Sequence, residues 1–283
     1  MESATQPRPP GWSRWHADAF QDPDVAAAYR HRIPYPDEVF STLAGLLDTE
    51  SDTMLDIGCG RGELARPMLA FAGRVDAVDA SAEMIAQGRR LPDGDSPRLR
   101  WLRARTEDAP LEPPYGLVTA GQSLHWMEWD IVLPRLHDAL TPHGALAIVD
   151  CHTLPEPWDD EMYPIFARYS ANKEYLRLDL IQELESRDHF VKQGERHTVP
   201  VPYTQPVEEV IEAYHAMSSL TRARMGEEDA RAFEDAARSV FLRHAPDGVI
   251  NWQVTASIVW GRPLPAPPLR SDAPELAVGD DEN

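Results

Sequence analysis

Leu55-Asp56-Ile57-Gly58-Cys59-Gly60-Arg61-Gly62-Glu63-Leu64 is the stretch whose reading decides the fold. The apolar run 53–57 enters a turn with glycine at three alternate positions, and a helical stretch follows. A second apolar run, 74–78, ends beside Asp79. The order is strand, glycine-rich turn, helix, then a strand closed by a carboxylate placed to hold a ribose. Gly58, Gly60 and Gly62 admit positive φ and carry no Cβ, so backbone can touch a ligand directly. The first turn of the helix that follows offers free N–H groups to an anion. Asp79 suits a 1,2-diol because a carboxylate presents two acceptor oxygens. The spacing is G-x-G-x-G, whereas the dinucleotide fingerprint is G-x-G-x-x-G with its acidic residue about 20 positions further on.

Working outward, strand and helix patterns alternate, which predicts a parallel sheet covered on both faces. Strands are expected at 53–57, 74–78, 99–103, 115–120 and 144–149. In 37–48, Val39, Phe40, Leu43, Leu46 and Leu47 recur at helical spacing, and Ile131, Leu133, Leu136 and Leu140 do so in 130–140. Ser81 is placed to cap a helix over 82–90. After residue 150 the pattern changes. Residues 155–195 carry Trp158, Tyr163, Phe166, Tyr169 and Tyr175, then Leu176, Leu180 and Leu184 four apart, and read as a helical insertion. A strand at 197–203, helices near 206–219 and 227–244, and a strand at 252–260 complete an antiparallel closing pair. One domain is expected over 15–262, with helices over 206–245 between its last two strands. The Pro-rich or acidic stretches 1–14 and 263–283 cannot bury enough apolar area to offset ordering entropy, and are expected to be disordered tails.

The chain has 283 residues and a formal net charge of −20, so phosphate backbones and anionic lipid are poor partners. Only Cys59 and Cys151 are available for a disulfide. One lies in the glycine turn and the other after a strand, so both are expected as thiols in a cytoplasmic protein. No apolar run of 18 residues and no leader pattern is present, so no membrane span or signal peptide is expected. No cysteine–histidine cluster suggests a metal.

The quoted stretch resembles motif I of class I S-adenosylmethionine (SAM) methyltransferases. The resemblance covers 25–150 well, 197–260 as topology only, and 155–195 hardly at all. It implies a seven-stranded Rossmann-like α/β sheet, mostly parallel with the last strand antiparallel, and a helical lid insertion. It implies SAM as cofactor and S-adenosylhomocysteine (SAH) as product. On this resemblance Asp56 reaches the cofactor's amino group through water, and Gly58, Cys59, Gly60 and Gly62 line its methionyl end. Asp79 accepts the ribose hydroxyls, with Ala80 and Met84 joining the cofactor-binding set. Arg105-Thr106-Glu107-Asp108-Ala109-Pro110-Leu111 is similar to the family's adenine segment. Many relatives have aspartate where this chain has Arg105, which moves the expected contact to Thr106, Glu107 and Asp108. Gly121-Gln122-Ser123-Leu124-His125-Trp126 resembles the His-Trp or Gln-Trp end of the fourth strand, with Gln122 toward the methionyl part and His125 or Trp126 toward the acceptor. Tyr29-Arg30-His31-Arg32-Ile33-Pro34-Tyr35-Pro36 resembles a Tyr…Arg-Pro-x-Tyr-Pro element of trans-aconitate-type enzymes, its proline moved one position to Pro34. Arg32 then pairs with the cofactor carboxylate, and Tyr29 and Tyr35 line the substrate side.

A sulfonium methyl is already electrophilic, so the chain must chiefly align a nucleophile and exclude water. A base is needed only for a protonated nucleophile, and His125, His152 and Asp150 are the candidates. The expected acceptor is a small organic molecule methylated at oxygen, met by Trp126 and by Trp158, Tyr163 and Tyr169 of the insertion. Arg168, Lys173 and Arg177 could meet one carboxylate or phosphate. Carbon methylation of an aromatic or isoprenoid acceptor is the alternative, with Glu156, Glu161 or His125 taking the proton and aromatic faces stabilising a carbocation. A SAM-binding module without activity and a nicotinamide-dependent oxidoreductase are the other readings. A monomer or homodimer is expected.

Overall fold

The computed structural model describes residues 14–173 and 179–266. The expected tails lie outside the described residues apart from Arg14 and residues 263–266, and so do Tyr175, Leu176 and Arg177. In chain order come α1 (Arg14–Ala17), α2 (Pro23–Ala28), α3 (Asp37–Leu46), β1 (Thr53–Ile57), α4 (Ala65–Met68), β2 (Arg74–Asp79), α5 (Ala82–Gly88), β3 (Leu99–Arg103), β4 (Tyr115–Gly121) and α6 (Trp129–Ala139). Then follow β5 (Leu140–Thr153), α7 (Asp159–Tyr169), α8 (Leu180–Ser186), β6 (Phe190–His197), β7 (Val201–Pro206), α9 (Val207–His215), α10 (Arg222–Met225), α11 (Glu227–His244) and β8 (Val249–Pro263). Single 3-10 turns at Asp18–Gln21, Tyr29–His31 and Leu124–Trp126 join some of these.

The sheet order is β3-β2-β1-β4-β5-β8-β6, with β7 also paired to β8. β1 to β5 are mutually parallel, and β8 runs antiparallel to β5, β6 and β7. β-strand side chains alternate between faces, and the sheet divides accordingly. Met54, Ala77, Leu117, Ala147 and Val149 face one apolar cluster with α3, α4, α7, α9 and α11. Leu55, Val78, Val118, Leu146 and Ile148 face the other, with α6 and Leu184 of α8. This is the mixed Rossmann-like sheet that the sequence implies, with one antiparallel strand, but it has eight strands where seven are expected. Among the described residues no helix is long and apolar enough to cross a membrane.

β5 and β8 extend beyond the expected 144–149 and 252–260, and three further differences from the sequence reading change the elements themselves. The strand expected at 197–203 is two strands. β6 pairs with the far half of β8, Phe190 opposite Pro263 to His197 opposite Ser257. β7 pairs with the near half, Val201 opposite Val254 to Pro206 opposite Val249. Between them Thr198 keeps its place through hydrogen bonds with Ala256 and Thr255. Pro200 then offers no N–H, and the prolines of β7 are tolerated because it has a neighbour on one side only. The insertion is also not wholly helical, since β6 begins at Phe190. The helix expected over 206–219 stops at His215, whose ring nitrogen Nδ1 bonds the Leu220 carbonyl oxygen at 2.8 Å and so fixes a turn over 216–220.

The β1 and β4 junction is where the chain changes direction in the sheet, and open α/β sheets hold ligands beyond the carboxyl ends of strands at such a switch. Elsewhere, polar burial is structural. Asp76, with no exposed surface, takes two bonds from Arg100 (2.9 and 2.6 Å) and one from the Tyr115 hydroxyl (2.6 Å). Truncating a carboxylate so placed strands its donors. Asp76→Ala is expected to lower the unfolding free energy in urea by about 3 kcal/mol, with cofactor affinity unchanged by calorimetry.

Candidate functional site

The glycine turn closes onto its neighbours as the spacing predicts. Gly58, Gly60 and Gly62 all have positive φ (62°, 56° and 80°). At Gly58 a Cβ would come within 2.5 Å of the Ser123 Cβ, so only glycine lets the ends of β1 and β4 approach this closely. The Ser123 hydroxyl donates to the Ile57 carbonyl at 2.6 Å across that contact. Asp79 then ties the turn to β2. Its carboxylate accepts the Gly60 N–H at 2.8 Å and the Ser81 N–H at 2.7 Å. Ser81 in turn caps α5 by accepting the Met84 N–H.

Around this turn lie three connected clefts. The first, of about 960 Å³, is lined by Gly58, Gly60, Asp79, Ala80, Met84, Thr106 and Glu107, with Tyr29, Arg32, Gln122 and Trp126 closing it. Ala17, Asp18, Phe20 and Gln21 of the N-terminal segment also line it. The adenine-side segment is pinned from behind. Arg135 of α6 donates to the Thr106, Glu107 and Ala109 carbonyls. Arg105 pairs with Glu107 at 3.0 Å, and Glu107 accepts the Glu128 N–H. Burial alone would raise the Glu107 carboxyl, but these partners outweigh it and hold it below the usual range.

A second cleft, of about 1150 Å³, shares Tyr29, Arg32, Gly58, Gly121 and Gln122 with the first and adds Tyr35, Asp56 and Cys59. Asp56 is 1 % exposed, and its carboxylate accepts the Thr119 hydroxyl at 2.8 Å from the facing position on β4. Burial pushes its pKa up to about 7. Burial likewise raises Asp79 to about 6. Arg32 donates to the Tyr29 hydroxyl (3.3 Å) and to Gln122 Oε1 (3.1 Å), both uncharged. Among the described residues no carboxylate pairs with Arg32 and no cation pairs with Asp56. A buried anion and a part-buried cation without counter-ions, on either side of a glycine turn, match a zwitterionic amino-acid group.

A third cleft, of about 1480 Å³, shares Phe20, Arg32, Gln122, Ser123 and Trp126 with the first. His125, Asp150, the turn 216–219, Leu180 and Ile181 of α8, and Ile148, Val149, Ser257 and Val259 of the sheet enclose it. Desolvation pushes the His125 pKa down to about 4, and the Arg32 charge adds to the shift. Gln122 lines all three clefts. Its φ is +51°, unusual for a residue with a Cβ. It is over-determined there, donating to Asp150 (2.9 Å) and the Cys151 carbonyl (3.0 Å) while accepting from Arg32.

Several expected site residues are placed elsewhere. Gly62 faces Trp101, which a Cβ would approach to 2.8 Å, so it serves packing rather than the cofactor cleft. Asp108 is exposed and lines no cleft described above. His152 is also off the clefts, with its side chain 47 % exposed beside Asp150. Strand alternation buries Cys151 and turns His152 outward. The insertion's aromatic residues are not a cover over the acceptor. Trp158 packs edge-on against Phe241 and Trp252 at 5.8 and 5.6 Å. Tyr169 packs on Phe233 at 6.0 Å, and Tyr163 is 74 % exposed. These rings join the core because α7 lies against α11, where apolar burial exceeds what a polar cleft offers. Glu161 is held by Arg243 and His244, Arg168 lies over Tyr169, and Lys173 donates to the Ala167 and Arg168 carbonyls. Ser123 lies inside the quoted 121–126 stretch but was given no role there, and Phe20, Arg135 and the turn 216–219 belong to no motif. Among the described residues no group of His, Cys, Asp and Glu is arranged to hold a metal ion.

Residues 54–144 match the methyltransferase domain family. The structure is similar to that of a protein described provisionally as a type II methyltransferase from Anaeromyxobacter dehalogenans, with TM-score 0.60 and 24 % identity, covering 83 % of this chain and 99 % of that one. It is also similar to the YcgJ protein of Bacillus subtilis, with TM-score 0.50 and 14 % identity over 80 % of this chain and 98 % of that one. Both likenesses are of fold. No curated protein sequence matches the chain. Residues 54–144 thus carry a methyltransferase domain, set in a sheet with the fold of solved methyltransferase structures. The charges of Asp56 and Arg32, which lack counter-ions among the described residues, would fit the amino-acid end of SAM.

The raised Asp56 pKa has a consequence for stability. The folded state holds this proton more tightly than the unfolded chain, so the associated stability is full below about pH 4 and is lost as pH rises through about 7. Asn is isosteric and keeps an acceptor for Thr119. Without cofactor, Asp56→Asn is expected to be more stable than wild type by a margin that widens from pH 5 to pH 8, reaching the order of 4 kcal/mol. Thermal melts across that range would show a constant margin if Asp56 were ionised throughout.

Proposed function

We propose that this chain transfers the SAM methyl group to a small organic acceptor held in the third cleft, at an oxygen atom. The observation that carries this reading is the junction of clefts. The cofactor cleft opens into a second, larger space through Phe20, Arg32, Gln122, Ser123 and Trp126, and His125 stands on the far side only. SAM, with its nucleoside toward Asp79 and the Thr106-Glu107 segment, supplies an electrophilic methyl group that an in-line nucleophile displaces to leave SAH. Everything else falls to the chain. Trp126, Leu124, Ile148, Val149 and Val259 surround the acceptor with apolar surface and exclude water, while the junction sets the line of approach.

His125 is the candidate base. At neutral pH its ring is uncharged, because desolvation and Arg32 disfavour the imidazolium. A neutral imidazole can accept a hydrogen bond from an acceptor hydroxyl and take its proton as the carbon–oxygen bond forms. A weakly basic ring suffices, since the protonated ether that would otherwise form is a far stronger acid than an imidazolium. The proton then passes from His125 to solvent. With the insertion's carboxylate Glu161 committed to Arg243 and His244, the carbon-methylation alternative keeps His125 as its cleft-lining proton acceptor. The net charge of −20 and the likeness of residues 29–36 to the trans-aconitate-type element support a small acceptor. Residues 15–262 act as one catalytic domain on this reading, and two free, buried cysteines fit a reducing cytoplasm.

Calorimetry with SAM and SAH tests the cofactor site. Asp79→Ala is expected to weaken both by about 10- to 100-fold, and binding that survives undiminished would remove Asp79 from the site. His125→Gln is expected to lower kcat by about 100-fold or more while SAM affinity holds. The wild-type acid limb of kcat/KM assigned to this ring should fall toward about pH 4, not near the ordinary histidine value of about 6.5. An unchanged kcat in the variant would leave His125 as a wall of the cleft.

A further inference from the structure

The N-terminal segment carries no motif, yet it contributes to both working clefts. Phe20 sits in the 3-10 turn Asp18–Gln21 and lines the cofactor cleft and the acceptor cleft alike. Its ring lies 5.8 Å from that of Trp126, tilted by 58°. Arg224 holds the segment from the other side. Its guanidinium donates to the carbonyls of Trp15 and Ser218 and lies 3.7 Å from the Trp15 ring centroid. Ser218 belongs to the acceptor cleft, so one side chain ties the segment to the turn across from it.

If methyl passes from one cleft to the other, the sulfonium stands at their junction. This inference therefore rests on the reading of the clefts above. Five residues line the junction from both sides: Phe20, Arg32, Gln122, Ser123 and Trp126. None is anionic, and Arg32 is a cation. The carboxylates of the two clefts stand off the junction: Asp18 lines the cofactor cleft alone, Glu107 is paired with Arg105, Asp79 accepts the Gly60 and Ser81 N–H groups, Asp150 accepts Gln122 Nε2, and Asp179 accepts the Ile181 and Gln182 N–H groups. Favourable surface for a positive sulfur is thus the aromatic faces, whose quadrupoles attract cations. We propose that Phe20, with Trp126, forms a sulfonium-recognising wall, through which the N-terminal segment senses the charge of the cofactor. In the reaction the methyl–sulfur bond breaks, its electron pair returns to sulfur, and the positive charge leaves with the proton of the acceptor. The attraction to Phe20 then ends, and the neutral thioether product is held less firmly than the sulfonium it replaces.

The test is calorimetry of SAM, SAH and sinefungin, in which an ammonium-bearing carbon replaces the sulfonium. Wild type, Phe20→Leu and Phe20→Tyr are compared. Leu keeps apolar bulk on a part-exposed turn without the ring, and Tyr keeps the ring. The quantity read is the ratio of SAH to SAM dissociation constants, whatever its value in wild type. Phe20→Leu is expected to shift it against SAM by about 3- to 10-fold, with sinefungin following SAM and SAH little changed. Phe20→Tyr should restore the wild-type ratio. An equal loss for all three ligands would make Phe20 an apolar wall, and an unmoved ratio would remove it from the sulfonium; either overturns the inference alone. Failure of the wild type to bind SAM or SAH would overturn the cofactor reading and the inference with it.

Discussion

One carboxylate holds the glycine-turn end of this molecule together. Asp79 accepts N–H groups from Gly60 and Ser81, and so joins the turn after β1 to the turn after β2. The glycine turn can lie there only because Gly58 lets the end of β4 approach through Ser123. Everything facing the clefts is referred to that contact. Gln122 follows Gly121 at the end of β4, Met84 follows the Ser81 cap, and the segment at 106–107 is held against α6 by Arg135. A desolvated carboxylate in this role is costly, as its raised pKa records, and a ligand diol that hydrogen-bonds the charged form would offset part of that cost.

A second constraint runs through Arg32 and Gln122, the two residues that line all three clefts. Their hydrogen bond lies where the second cleft meets the third. Gln122 adopts a left-handed backbone conformation to reach this place, and three side-chain hydrogen bonds hold it there. Strain of that kind persists where surroundings over-determine it, commonly at functional sites. The Arg32 charge has a further effect at a distance, helping to keep His125 neutral. The second cleft and the protonation of His125 are thus coupled through one guanidinium.

The helical residues after β5 divide into two groups with different tasks. α7 turns its rings onto α9 and α11 and thickens the apolar layer on one face of the sheet, with Phe166 5.0 Å from Tyr214. α8 and the turn 216–220 instead bring Leu180, Ile181 and Ser218 to the third cleft. Aromatic content located the insertion but not its orientation. A stripe of rings at helical spacing describes a buried face equally well whether that face meets a substrate or another helix.

The amino-acid sequence by itself determined the class of fold and the glycine turn with the carboxylate that ties it down. Those signals are local: glycines at alternate positions, a carboxylate at a strand end, and a cap three residues before the amide it binds. Backbone sterics and hydrogen-bond reach dictate such features within a few residues. Tertiary structure alone decided the rest. It divided the edge position beside β8 between β6 and β7, turned His152 outward while His125 faced a cleft, gave Gly62 to Trp101, and brought Phe20 beside Trp126. Each of these depends on which distant segment packs against which face. That choice is made by burial summed over the whole chain, and no short window of sequence contains it.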